Sequence, residues 1–358
     1  MSSAHVAVDL DDTDGLLEAD RDGLLRSAAT AGAQVRATAA AVEEGACEFL
    51  ASDQRPRTVI WLAGRGPAES AGAMLAASLG PAAVEPIVTA AQVPPWIGPL
   101  DVLVIAGDDP GDPVLVSAAA TAVRRGARVV VAAPFEGPLR DATAGRATVL
   151  APRLPVPDEF GLSRYLAAGL AAFGAVDPAL RTDLGALADE LDAEALRNSA
   201  VREVFTNPAK ALAERIAGRQ TVLAGDGPAT LALARHAGAV LLRVGGRPVA
   251  ATGLADALVA LRGAAWDRFA DPVDALFHDE ELDGPLPSRP RVIALALAEE
   301  RPALTARTAG IDDVDLVGAE DTGEAGSAPA TGARTEQQLG TLAVRLEMAA
   351  VYLRLAGG

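Results

Sequence analysis

Two stretches of the chain share one pattern: TVIWLAGRGPA at residues 58–68 and TVLAGDGPA at residues 221–229. In each, an apolar run leads into Ala-Gly-x-Gly-Pro-Ala, and apolar residues at helical spacing follow. A continuous apolar run closed by glycines is typical of a strand buried on both faces. The chain therefore contains a strand, a glycine turn and a helix twice over, which predicts a duplicated α/β domain.

A second pair of segments supports the duplication. The apolar run at residues 101–105 precedes a helical stretch, and the run at residues 291–295 precedes a helix that we predict to start near Ala303. Strands that alternate with helices in this way predict a parallel, doubly wound sheet covered on both faces. We therefore expect an α/β protein with two such sheets.

The remaining pattern gives the expected elements and domains. We predict helices within residues 16–50, 114–125 and 158–202, strands at 84–88 and 128–132, a helix ending at Ala237 and a strand at 240–244. Residues 318–334 lack periodicity and predict a mobile loop, and residues 336–355 predict an amphipathic helix. The expected domains are 1–157 and 207–358, joined by a helical bridge at 158–206.

Composition fits this organisation. The chain has 358 residues, enough for two domains, and only 3% of them are aromatic although 50% are hydrophobic. The core must therefore be filled mainly by Ala, Val and Leu. Cys47 is the only cysteine, so no intrachain disulfide or thiolate metal cluster can form. We expect a reducing compartment, no metal and no cofactor.

The net charge of the chain limits the kinds of molecule that it can bind. The formal net charge of −17 opposes binding to nucleic acid, and the chain has one lysine, Lys210, to attract anions. The first 20 residues are acidic where a secretory signal would be basic and apolar, and no apolar run approaches 18 residues. We expect a cytoplasmic protein that binds neither nucleic acid nor membranes.

The glycine turns are candidate ligand-binding sites. Gly64, Arg65 and Gly66 in the first copy, and Gly225 and Gly227 in the second, could let backbone N–H groups approach a phosphate at a helix start. Alternatively, the glycines only make tight turns at the ends of strands. Arg65 favours anion binding in the first copy, whereas Asp226 disfavours it in the second.

The loop after the second core strand is also a candidate, because open parallel sheets bind ligands at the carboxyl ends of their strands. It begins Ala106-Gly107-Asp108 and adds Asp109 and Asp112, so up to three carboxylates face any phosphate there. The loop either binds a cation, or has lost phosphate binding and is a solvated acidic turn.

A phosphatase is a rival hypothesis. VAVDLDDT at residues 6–13 resembles the nucleophile motif of haloacid-dehalogenase-like phosphatases, in which Asp9 would attack phosphorus and Asp11 would act as acid and base. Asp108 and Asp112 would then hold Mg²⁺. Against this reading, no lysine lies between the two motifs. The three histidines, His5, His236 and His278, suggest no site of their own.

With the repeat, the acidic Leu10-Asp11-Asp12 opening and the phrase NPAKALA at residues 207–213, the chain resembles the bifunctional phosphoglucose/phosphomannose isomerase family of double sugar-isomerase (SIS) proteins. The likeness covers nearly the whole length and implies two SIS domains. It also implies a homodimer, a hexose phosphate ligand and aldose–ketose isomerisation.

Several family residues are replaced here. The family binds phosphate through a Ser-x-Ser-Gly-Asn-Thr loop, which matches residues 106–114, where these hydroxyls are missing. The family's glutamate base belongs to a segment matched by residues 235–247, which contain no carboxylate, and the counterpart of its histidine phrase, residues 253–257, has only Asp256 as a polar side chain. We therefore assign no catalytic residue and expect a sugar-phosphate-binding protein with a degenerate site. The alternatives are an active aldose–ketose isomerase with relocated catalytic groups and a catalytically silent scaffold or regulatory homodimer.

Overall fold

The computed structural model of the chain describes residues 8–51, 54–262, 289–321 and 334–357. Its strands are β1 (Thr58–Leu62), β2 (Ile87–Ala90), β3 (Asp101–Ala106), β4 (Arg128–Ala132), β5 (Ala147–Val149), β6 (Thr221–Gly225), β7 (Ala250–Gly253), β8 (Arg291–Ala296) and β9 (Val314–Gly318). Its helices are α1 (Thr13–Ala19), α2 (Leu24–Ala28), α3 (Ala31–Glu43), α4 (Gly66–Leu79), α5 (Pro113–Arg124), α6 (Gly137–Thr143), α7 (Leu162–Val176), α8 (Leu184–Arg197), α9 (Pro208–Ala217), α10 (Pro228–Arg243), α11 (Leu254–Arg262), α12 (Arg301–Thr308) and α13 (Thr335–Gly357).

The strands form two parallel sheets, in the orders β2-β1-β3-β4-β5 and β7-β6-β8-β9. β1 and β6, the strands that precede the two glycine turns, occupy the same place in their sheets. Their registers also correspond, since Thr58 pairs with Asp101 and Thr221 pairs with Arg291. The duplicated α/β architecture expected from the repeat is confirmed.

The helices repeat as well. α3 precedes β1 and packs on α7, and α9 precedes β6 and packs on α13. The two helices that follow the glycine turns, α4 and α10, pack directly against each other. The two halves of the chain therefore meet through the helices that the repeated motif starts.

One hydrophobic core contains the facing sides of both sheets and the helices between them. Trp61 of β1 and Leu295 of β8 belong to it, together with buried residues of α4, α7, α10 and α13. The outer face of the first sheet packs on α5 and α6, and the outer face of the second packs on α11 and α12. Both sheets are thus covered on both faces, which explains why the inner strands β1, β3, β4, β6 and β8 are almost continuously apolar.

Two strand predictions were wrong, one in kind and one in position. The predicted strand at 240–244 belongs largely to α10, because Val240 and Leu241 continue the buried stripe of a helix that runs unbroken to Arg243. The strand that pairs with β6 is instead β7, whose sequence AATG carries no strand signal. The strand predicted at 84–88 lies at 87–90.

The last helix is not amphipathic as predicted. α13 is buried over nearly its whole length, because it packs on α8, α9 and α10 and also reaches α2 and α4. Its buried charged residues are paired inside the protein, as with Arg345 on Glu194. The predicted segment 158–206 comprises α7, which packs on α3 and α4, and α8, which packs on α3 and α13. Most of the predicted loop, residues 322–333, lies outside the described residues.

Candidate functional site

The first glycine turn lies at the carboxyl end of β1. Arg65 has an extended backbone, and Gly66 has φ +65° at the start of α4, a conformation that strains any residue with a Cβ. A Cβ at Gly64 would meet no atom within 4 Å, so this position does not depend on glycine for space. The Arg65 side chain is exposed and its Nη2 lies 3.4 Å from Asp108 Oδ1. The structure thus brings the first turn and the β3 loop together, as the two candidate sites require.

The β3 loop uses its carboxylates on its own backbone. Asp109 Oδ1 accepts the N–H of Gly111 at 2.7 Å, and Asp112 Oδ1 caps α5 by accepting the N–H of Val114 at 2.8 Å. One backbone donor in the loop and one at the start of α5 are therefore already paired with carboxylates. Within the described parts of the chain, no group of three or more His, Cys, Asp or Glu residues could hold a metal ion.

A polar cluster beside this loop was not predicted. Asp158 Oδ1 accepts from Arg164 Nη2 at 3.3 Å, and Glu159 Oε1 accepts from Arg243 Nη2 at 2.7 Å. Burial raises the pKa of Asp158 and the charge of Asp108 adds to the rise, while Arg164 and Arg243 oppose it. Arg243 comes from a distant segment of sequence, and no local motif marks Asp158, Glu159 or Arg164.

The second glycine turn lies at the carboxyl end of β6 and carries its own carboxylates. Asp226 pairs with Arg307 at 2.5 Å, and Glu300 Oε2 accepts the N–H of Leu297 at 3.2 Å. A Cβ on Gly227 would lie 2.7 Å from Glu300 Oε1, so this carboxylate lies directly against the turn. Burial raises the pKa of Glu300, with Asp226 and Glu299 adding to the rise.

Lys210 contacts the backbone and not a ligand cleft. It is fully buried, and its Nζ donates to the carbonyls of Ala200 and Arg202 at 2.8 and 2.7 Å. Burial lowers its pKa, and the nearby charges of Asp11 and Asp9 oppose that effect. Asp11 also accepts the N–H of Val204. Asp9 and Asp11 of the phosphatase hypothesis therefore lie near Lys210, whereas Asp108, one of its expected Mg²⁺ ligands, pairs with Arg65.

The histidine of α10 is structural. His236 lies in the middle of α10 and not at its end as predicted, and its Nε2 lies 2.9 Å from Oε1 of the equally buried Glu347. Burial raises the pKa of Glu347, and the hydrogen bond to His236 opposes that rise. His5 and His278 lie outside the described residues. Asp256 accepts a long hydrogen bond of 3.5 Å from Thr252 Oγ1 and is exposed.

Comparison with known proteins identifies the fold of the chain. No family model and no curated protein sequence matches the chain. Solved structures do match. Tagatose-6-phosphate ketose/aldose isomerase from Escherichia coli is 15% identical, with a TM-score of 0.60 over 99% of this chain and 96% of that one. A glucose-6-phosphate isomerase like protein from Thermus thermophilus is 19% identical, with a TM-score of 0.56 over 98% and 96%.

A third match is the C-terminal domain of glucosamine-fructose-6-phosphate aminotransferase from Francisella tularensis, which is 10% identical with a TM-score of 0.58 over 94% of this chain and 98% of that one. At these identities the likeness shows the fold alone. The chain thus has the two-sheet architecture of SIS-type phosphosugar isomerases. Across the described ranges, no helix is both long and apolar enough to cross a membrane.

Proposed function

We propose that the chain binds a carbohydrate derivative, in the class of a hexose phosphate, and that it has lost efficient aldose–ketose isomerisation. The observation that carries the loss of a strong phosphate grip is the pairing of Asp109 and Asp112 with the backbone N–H groups of Gly111 and Val114. The fold supports the ligand class, and these carboxylates argue against a strong phosphate grip.

The physical reason is electrostatic. A helix start binds phosphate because its unpaired N–H groups and its dipole favour an anion. Here the chain's own carboxylates take some of those donors and add negative charge. A like-charge contact at about 4 Å costs about 1 kcal/mol in water and several times more in a partly dry cleft. Arg65, Arg164 and Arg243 offset this charge only in part, because Asp108, Asp158 and Glu159 already pair with them.

The base and the ring-opening group that the family resemblance leads us to expect are missing from their matching positions. Aldose–ketose isomerisation needs a base that moves a proton between neighbouring carbons and a group that helps to open the ring. No carboxylate occurs in residues 235–247, and the only histidine of that segment, His236, is buried against Glu347. Loss of a positioned base costs about 10²–10⁴-fold in rate. We therefore expect little turnover.

The test is a thermal-shift titration with glucose 6-phosphate, fructose 6-phosphate and mannose 6-phosphate, followed by isomerase assays. We expect a small shift for the natural chain and a larger one for the Asp109→Ser/Asp112→Ser variant, because serine can still cap α5 without the charge. Asp141→Ser serves as the control, since Asp141 is exposed and its nearest ion-pair partner is Arg140. Robust isomerisation by the natural chain would contradict the loss of catalysis, and a variant that binds no better would contradict the charge explanation.

The resemblance to double SIS proteins also implies a homodimer. Three large apolar side chains, Leu196, Val201 and Phe205, are 67–74% exposed within ten residues of one another and could contribute to its interface. Light scattering of the purified chain tests this expectation, and a monomeric mass would contradict it.

A further inference from the structure

A small recess lies at the carboxyl end of β4, between α3 and α7. Gln34 and Thr38 of α3 line one side, Arg164 and Tyr165 of α7 line another, and Leu150 closes it beyond β5. Its interior has about 20 Å³ of space for a water-sized group. That is enough for one hydroxyl group or one water molecule.

Gln34 places an unpaired acceptor at this recess. Only 4% of the residue is exposed, and its Nε2 donates to Phe160 O at 3.0 Å and to Thr30 Oγ1 at 3.2 Å. These two bonds fix the orientation of the amide, because a flipped amide would put oxygen against the Phe160 carbonyl. Across the residues that the structure describes, Gln34 Oε1 has no hydrogen-bonding partner.

Arg164, which also lines the recess, carries an unpaired donor. Its Nη2 bonds to Asp158 and, at 2.7 Å, to Tyr165 Oη, and its guanidinium lies over the Tyr165 ring. Its Nε is buried and is likewise unpaired within the described part of the chain. Buried polar atoms are rarely left without a partner, so two of opposite sense at one recess indicate a bound group.

The chemistry of the two atoms restricts that group. A hydroxyl can donate to Gln34 Oε1 and accept from Arg164 Nε, so it can satisfy either atom or both. A carboxylate or phosphate oxygen has no proton for Gln34, and an ammonium group would face the positive charge of Arg164. A neutral hydroxyl therefore fits this recess better than an ion.

We propose that the recess binds one hydroxyl group of a neutral polyol or sugar, whose remaining atoms lie at the mouth beside Arg153 and Leu154. The proposal rests on the proposed function for its ligand class, but its location depends on Gln34 and Arg164, and Arg164 also pairs with Asp158 beside the β3 loop. It requires no phosphate on the ligand.

Calorimetric titration with glucitol and, separately, glucose 6-phosphate tests the site. Arg164→Lys removes the Nε donor and keeps a positive charge near Asp158, and Gln34→Met removes the acceptor. We expect each variant to lose about tenfold or more in glucitol affinity, the equivalent of one good hydrogen bond. Arg36→Lys is the matched control, because Arg36 lies on α3 but is exposed and pairs with Asp189 of α8.

The outcomes separate the two proposals. Loss of glucitol binding in both variants supports the hydroxyl site, even if glucose 6-phosphate does not bind. If the natural chain binds sugar phosphate and Arg164→Lys binds it and glucitol equally well, the hydroxyl site is wrong while the proposed function stands. If the natural chain binds neither compound, both proposals fail. A crystal structure with glucitol that shows only a water molecule in the recess would also overturn the site.

Discussion

Arg345 joins three parts of the chain through one guanidinium group. It is 1% exposed on α13, and its Nε and Nη2 reach both oxygens of Glu194 on α8 at 2.7 and 3.3 Å. It also donates to the carbonyls of Gly318 and Ala319 at the end of β9. Although burial alone raises the pKa of Glu194, the charge of Arg345 and the hydrogen bonds that the carboxylate receives outweigh that effect and lower it. The two side chains therefore hold α13, α8 and the end of β9 together.

We expect Arg345→Met to reduce the free energy of unfolding by about 3–5 kcal/mol, because it leaves the Glu194 carboxylate buried with weaker compensation. The double variant Glu194→Gln/Arg345→Met should recover part of that loss. Chemical denaturation measures both. Arg354→Met is the control on the same helix, where an exposed pair with Asp22 should cost no more than about 1 kcal/mol. Equal losses for the two arginines would contradict this account.

Asp101 gives a prediction about pH. Its carboxylate is fully buried at the start of β3 and accepts from Arg57, Thr58 Oγ1 and the N–H of Gly98. Burial alone would raise the pKa of Asp101, but these bonds outweigh it and lower the pKa. A lowered folded-state pKa stabilises the fold above the unfolded value of about 4, and this contribution is lost as the pH falls through the folded value.

Compared with Asp101→Asn, the natural chain should therefore be more stable at neutral pH, and the gap should shrink in acid, below about pH 4. Urea denaturation of both proteins at several pH values measures the gap. A gap that does not change with pH would show that the charge of Asp101 contributes nothing.

At the scale of elements, the two glycine turns have one sequence pattern but different constraints. A Cβ at Gly225 would overlap the backbone of Thr230 and Leu231, because α10 folds back closely on the end of β6. The matching position, Gly64, has open space around it. At the next glycine of each motif the first copy is the more constrained one. Gly66 has φ +65°, a conformation that favours glycine, whereas Gly227 has φ −91°, which other residues also adopt.

We predict that Gly225→Ala lowers the free energy of unfolding by about 1–3 kcal/mol, the usual cost of overpacking against atoms that cannot move. Gly64→Ala should change it by no more than about 0.5 kcal/mol. The pair is its own control, because the same substitution is made at equivalent positions of the repeat. Thermal unfolding of the two variants would contradict the prediction if Gly64→Ala were the more damaging.

The sequence predicted elements well where one local pattern decides the structure. The strands at 58–62 and 101–105 are buried on both faces, and their apolar runs have no other good explanation. Prediction failed where a contact with residues distant in sequence decides the local structure. β7 is a strand because β6 supplies its hydrogen bonds, and the polar residues of α13 are buried because Glu194 and His236 lie opposite them.

The same distinction applies to the candidate site. The turns at residues 64–66 and 106–108 could be found from glycines at strand ends, and the structure brings Arg65 to Asp108. Asp158, Arg164 and Arg243 could not be found, since no spacing in the sequence shows that these residues meet. Gln34 was equally hidden, because a lone glutamine in an Ala-rich helix carries no functional signal.

On the scale of the whole molecule, the two sheets share one core. α4 and α10 pack against each other, and α13, at the end of the described chain, reaches α2 and α4 near its beginning. Residues far apart in sequence thus complete each other's burial. Without the other half, the apolar face that each half contributes to this core would be exposed to solvent.

We therefore expect both halves to unfold in one cooperative transition, despite the two-domain pattern of the sequence. Differential scanning calorimetry tests this by comparing the calorimetric and van't Hoff enthalpies, which agree for a single transition. Two resolved peaks, or a calorimetric enthalpy well above the van't Hoff value, would show that the halves unfold separately.

The burial of Lys210 has a practical consequence. It is the only lysine in the chain, and its amine is held by two backbone carbonyls beneath the segment around residues 198–207. An acylating reagent can reach this side chain only after that segment opens. The rate of Lys210 acylation therefore measures how often the segment opens. Lys210 is thus a natural chemical reporter of the opening of this segment. Because it is the chain's only lysine, no lysine on the folded surface is available to enzymes that attach acetyl groups or small proteins.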